Sequence, residues 1–86
     1  MNSAVKTSWA KAVQVEAVEP GVLHVEWDNG DSGVLDVRHL LERDRFWRLR
    51  QFRYFRQVGI DELGALCWPD GEDLAPDGLS RFLVNR

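Results

Sequence analysis

Along residues 12–19, AVQVEAVE, apolar and polar positions alternate, with Val13, Val15 and Ala17 on one face and Gln14, Glu16 and Val18 on the other. A period of two predicts a strand buried on one side. Pro20 and Gly21 mark a tight connection. Leu23, Val25 and Trp27 then alternate against His24 and Glu26 in a second strand. Asp28, Asn29, Gly30 and Asp31 carry the strongest hairpin signal in the chain, because Asn-Gly readily takes the left-handed backbone values of a tight turn. The returning stretch SGVLDV places Leu35 and Val37 on one side. Three antiparallel strands by residue 37 is the simplest reading.

At Arg38 the period changes. Leu40 and Leu41 suit a short helical turn, and Phe46, Leu49, Phe52 and Phe55 recur every three residues along a helical or mixed helix-turn segment. Arginines fill many positions between them, where their stems can lie on apolar surface with the heads in water. RQVGI, residues 56–60, reads as a fourth strand and ALCW, residues 65–68, as a fifth. Pro69, Asp70 and Gly71 turn the chain. Pro76 is placed to open a C-terminal helix, since a missing amide there loses no helical bond, and Leu79, Phe82 and Leu83 share one side of that helix. The expected architecture is α+β: a small antiparallel sheet of about five strands packed with short helices, including the C-terminal one.

Eighty-six residues supply one core, so residues 11–86 are expected to form a single domain behind a flexible segment, 1–10. The apolar and charged fractions, 44% and 29%, exclude the composition of a disordered chain. No window approaches the length of an apolar membrane span and no secretory leader is evident, so a cytoplasmic, non-membrane protein is expected. Charge alters this picture. Between Arg38 and Arg56 seven arginines meet only Glu42 and Asp44, a local charge of +5 that leaves −8 on the rest of a chain whose net charge is −3. A uniformly basic nucleic-acid binder is not indicated, whereas one basic and one acidic face are.

Candidate chemistry is sparse. Cys67 would need His24 or His39 as a base, and no motif links them, so a small core thiol sharing a face with Ala65 is the better reading. Asp70, Glu72, Asp73 and Asp77 lack calcium-loop spacing and read as solvated turn acids or acceptors of backbone amides, with Asp77 near a positive helix start. One cysteine and two distant histidines do not make a zinc site, and no phosphate-cradling glycine loop is present. No catalytic, metal or cofactor-binding residue is expected. Trp47, Arg50 and Arg53 are the candidate partner-binding residues, because arginine forks can hold phosphate or an acidic partner and an aromatic ring can stack on exposed bases. Pairing with the acidic remainder of the chain is the plainer role for these arginines.

The combined pattern VEAVEPGVLHVEWDNGDSGVLDVRHLL, FWRLRQFRYFRQVGI and LCWPDGEDLAPDGL resembles the small bacterial family catalogued as domain of unknown function 2442. Its most recognisable close is Trp68-Pro69-Asp70-Gly71, one residue, Asp73-Leu74-Ala75-Pro76 and then Leu79. With Cys67, these positions read as a structural junction from strand through turn to helix. The resemblance spans roughly residues 11 to 83 and implies a compact α+β domain, sometimes encoded beside another small protein as toxin and antitoxin pairs are. It carries no catalytic residues across. The expected function is a non-enzymatic protein-interaction or regulatory domain acting as a homodimer or with a small protein partner. Two alternatives stand beside it: a nucleic-acid-associated regulator using the arginine-rich segment, and a small enzyme with an unrecognised site.

Overall fold

The computed structural model describes residues 11–84. The expectations for segment 1–10 and for the side chain of Asp77 lie outside the described residues. The described chain forms β1 (Ala12–Glu19), β2 (Val22–Trp27) and β3 (Ser32–Asp36), two 3-10 segments (Arg38–Glu42 and Asp44–Arg50) and one α-helical turn, α1 (Phe52–Phe55). Three short strands follow, β4 (Gly59–Ile60), β5 (Leu66–Cys67) and β6 (Asp73–Leu74), then a 3-10 segment (Pro76–Phe82) and β7 (Leu83–Val84).

The α+β class holds, but one sheet becomes two. A four-stranded antiparallel sheet runs in the order β1-β2-β3-β7 and a three-stranded one in the order β4-β5-β6. The expected C-terminal helix is a 3-10 segment that gives way to a strand. Its period of three aligns buried Leu79 with half-buried Phe82. Gly78 inside it disfavours a longer α-helix. Leu83 therefore leaves the helical face and pairs with Leu35, as Val84 pairs with Val34. This closing strand occupies the edge of β3, and β4 pairs with β5 in the second sheet. Gly33 permits the approach, since a side-chain carbon on it would come within 2.6 Å of Leu83 Cδ2.

Two β-bulges correct the facing of β1. Ala12 pairs with Trp27 and Gln14 with Glu26, which leaves Val13 as an extra residue; Val18 is the extra residue between Ala17 and Glu19. Each bulge reverses the alternation beyond it. Val13 thus lies exposed with Val18, while Ala12 is buried and Val15 and Ala17 pack on the core. β2 and β3 keep the expected facing, with Leu23, Val25, Trp27, Leu35 and Val37 buried.

The three longer hairpins share one loop geometry. Gly30 N–H donates to Trp27 O and Trp27 N–H to Asp31 O, Gly64 N–H to Asp61 O and Asp61 N–H to Ala65 O, and Gly71 N–H to Trp68 O and Trp68 N–H to Glu72 O, all at 2.8–3.1 Å. Each is a three-residue loop closed by a left-handed glycine, with φ of 91°, 88° and 107° in turn. Asn29 does not take the left-handed conformation; its side-chain oxygen instead accepts the Asp31 N–H at 2.9 Å.

Phe46, Leu49, Phe52 and Phe55 span a 3-10 segment kinked at Phe46, an extended Gln51 and the α-turn α1, and this mixed path buries Phe46, Leu49 and Phe55 with Phe52 packed beside them. The strand expected over 56–60 shrinks to Gly59–Ile60 because Arg56 and Gln57 still donate helical bonds to Phe52 O and Tyr54 O. At the centre of the core the rings of Phe55 and Trp68 stack at 5.8 Å between centroids. Trp68 Nε1 donates to Phe55 O at 2.8 Å, which ties α1 to the loop after β5.

Candidate functional site

That tie places Tyr54, the neighbour of Phe55, against the loop Trp68–Glu72. Its hydroxyl accepts the Asp70 N–H at 2.8 Å and donates to Glu72 Oε1 at 2.6 Å. Burial and the bond to Glu72 push the phenol above its usual range. From the preceding 3-10 segment Arg48 completes the cluster, with Nε 3.0 Å from Asp70 Oδ2 and Nη1 3.7 Å from Glu72 Oε2. The Glu72 side chain is 5% exposed. Only Tyr54 among the described residues gives it a hydrogen bond, and Arg48 compensates its charge from beyond hydrogen-bond distance. Glu72 is therefore a buried partner of a phenol and a guanidinium, which corrects its reading as a solvated turn acid. Asp70 and Asp73 are exposed as expected.

Arg48 also lies over the Trp47 ring, 4.6 Å from its centroid, in cation–π contact. Trp47 is 50% exposed. With Arg48, Gln51 and Tyr54 it lines a shallow cleft of about 200 Å³. The structure thus joins Trp47 to these three residues rather than to Arg50 and Arg53. Arg50 reaches back to donate from Nε to Leu41 O, and Arg53 is exposed while its carbonyl accepts from Gln57 Nε2 at 3.3 Å. No local pattern links Tyr54 with Glu72, eighteen positions on, so sequence reasoning missed Arg48, Gln51, Tyr54 and Glu72 as a group.

Of the seven arginines between Arg38 and Arg56, two form ion pairs among the described residues: Arg48, and Arg38 with Asp36. The expected pairing of the others with the acidic remainder is not found there. Arg45 instead stacks on Phe46 at 5.0 Å.

The junction residues take ordinary structural places. Pro69 and Asp70 fill the loop, Gly71 closes it, Asp73 pairs across from Cys67, and Pro76 starts a 3-10 segment. Cys67 is half-buried rather than in the core, because Ala65, Leu66 and Trp68 take the buried positions of that stretch. His39 packs against Phe82 at 5.6 Å and His24 lies on the outer sheet face beside Glu16 and Glu26. Neither hydrogen-bonds Cys67. Among the described residues no three His, Cys, Asp or Glu side chains converge as a metal cage requires, and no helix is long and apolar enough to cross a membrane.

A larger cleft, about 390 Å³, runs along Asp36, Arg38, His39 and Phe82. Of the two arginines lining it, Arg38 and Arg81, the first is already held: Arg38 Nη2 lies 2.7 Å from Asp36 Oδ2 and Nε 3.1 Å from Oδ1. These bonds lower the Asp36 pKa to about 2 from an ordinary 3.8. A carboxylate with a depressed folded-state pKa stabilises the protein above its unfolded value and loses that contribution as pH falls through the folded one. The stability gap between wild type and Asp36→Asn should therefore be constant above about pH 5 and close as pH falls toward 2. Urea titrations across that range check this; a gap unchanged at low pH would show that the ion pair contributes nothing.

Fold and site together define a small α+β domain in which an aromatic-arginine surface is braced on a buried carboxylate. Residues 12–83 match the model of the family described as protein of unknown function (DUF2442), and the chain belongs to that family. No curated protein matches the chain. No solved structure matches it either.

Proposed function

We propose that this domain works in the cytoplasm as a non-enzymatic binding module, docking another protein through the surface around Trp47 and regulating that partner. One observation carries the reading: a large aromatic ring stands half-exposed and yet fixed, because the arginine stacked on it is itself held by Asp70 and Glu72. A ring immobilised before binding loses little entropy on docking, and Trp, Tyr and Arg are the residue types that dominate interface energetics. The gene arrangement implied by the family resemblance makes a small neighbouring protein the natural partner. Half-exposed Asp70 beside the ring favours protein over nucleic acid, since a phosphate backbone would meet a carboxylate there.

Wild type and Trp47→Ala, immobilised at equal density, should be exposed to extract of the source organism at roughly physiological salt. A protein enriched on wild type and reduced about tenfold on the variant is expected. Equal recovery on both would overturn the reading. A sedimentation profile of self-association abolished by Trp47→Ala would identify the partner as a second copy.

A further inference from the structure

We infer that the element recognised by this surface is a short acidic peptide segment carrying one aromatic side chain, the ring seated in the cleft of Trp47, Gln51 and Tyr54. This rests on the proposed binding role and adds the partner's chemistry. Size comes first. A cleft of about 200 Å³ is below the roughly 300–1,000 Å³ of small-molecule sites but suits a single side chain. Two aromatic rings and an amide line it, and Arg48, stacked on the Trp47 ring and paired with Asp70 and Glu72, adds a compensated charge rather than a free one. A neutral, flat group is the occupant that such walls favour.

Charge supplies the flanks. Arg50 directly precedes Gln51 and Arg53 directly precedes Tyr54 in the chain; both are exposed, and neither has a carboxylate within 4.0 Å among the described residues. Arg43, Arg45 and Arg56 are in the same condition. In a chain with fourteen acids against eleven bases, this basic stretch lacks internal counter-charges. A peptide can place carboxylates at the arginines while keeping charge away from Asp70, which a uniformly charged polyanion cannot do.

The probe is a short peptide of glutamates around one central phenylalanine, titrated against the full chain while the Trp47 indole N–H resonance is followed. Its assignment comes from Trp47→Phe. The expected result is a saturable shift that weakens with salt, with binding about tenfold weaker when the phenylalanine becomes alanine and lost when the glutamates become lysines. Arg53→Glu, at an exposed position, should weaken binding with no change in thermal midpoint. Equal affinity for the alanine peptide, or for the lysine peptide, would overturn the inference, as would tighter binding of single-stranded oligothymidine. Should no peptide move the signal while Trp47→Ala still abolishes partner recovery, the acidic-aromatic inference falls and the binding role stands. Should recovery also be indifferent to Trp47, both fall.

Discussion

Trp68→Ala should lower the thermal midpoint of the chain by at least about 14 °C. The indole is 4% exposed, stacks on fully buried Phe55, and donates its N–H to the Phe55 carbonyl. Truncating a buried tryptophan costs about 3–5 kcal/mol through lost transfer energy and the residual cavity. The Phe55 carbonyl keeps the Val58 N–H at 3.3 Å, so the lost indole bond adds about 0.5–1.5 kcal/mol. A domain of this length has roughly 4–13 kcal/mol in total, so the loss takes from about a quarter of it to all of it. Trp68→Phe separates the two contributions, retaining much of the ring while removing the donor, and should lower the thermal midpoint by roughly 2–12 °C. Circular dichroism melts of both variants check this. A Trp68→Ala midpoint within about 5 °C of wild type would show that the loop after β5 is not anchored through this ring.

Gly21→Ala should rank next, at about 2–5 kcal/mol. The residue has φ of 79°, where an L side chain costs about 1–2 kcal/mol. Its new carbon would also lie 2.3 Å from Arg38 Cγ and 3.0 Å from Arg38 Cα, and relieving overlap with backbone adds about 1–3 kcal/mol. The chain has little room to yield there, because Val37 N–H donates to Gly21 O at 2.8 Å and holds the Pro20-Gly21 turn against the end of β3. Gly71→Ala is the control. Its φ is 107° but no atom lies within 4 Å of the added carbon, so only the backbone contribution, about 1–2 kcal/mol, is expected. Urea unfolding of the two variants tests the difference. Equal losses would show that Arg38 moves aside freely.

The expected hairpins survive in the structure because turn chemistry is local: Gly30 and Gly71 stand where a loop needs a left-handed residue, and no distant contact alters that need. The period-of-three run from Phe46 to Phe55 likewise announces a mixed helix-turn segment, and the structure resolves it into a kinked 3-10 stretch followed by an α-turn. The bulges at Val13 and Val18 are different, since an extra residue is defined only by the partner strand it fails to pair with. The last strand follows the same logic. Leu79, Phe82 and Leu83 satisfy a helical spacing by themselves, and the vacant edge of β3 draws Leu83 and Val84 into a sheet.

The candidate site divides along this line too. Trp47 and the arginine density were evident by residue type, and Arg48 is the neighbour of Trp47 in one 3-10 segment, but the residues that brace this pair come from other segments: Tyr54 from α1, Asp70 and Glu72 from a hairpin loop. Glu72 reads as a surface acid until the Phe55–Trp68 stack brings α1 over its loop, and its acceptance of the Tyr54 hydroxyl exists only in that packing. By itself the sequence determined the α+β class, the hairpin turns, the apolar faces of β2 and β3 and the family, because each follows from contacts among near neighbours or from a short motif. Tertiary structure alone decided the split into two sheets, the outward facing of Val13 and the bracing of Trp47 on a buried carboxylate. Each of these depends on pairing between segments far apart in the chain, which residue order does not encode locally.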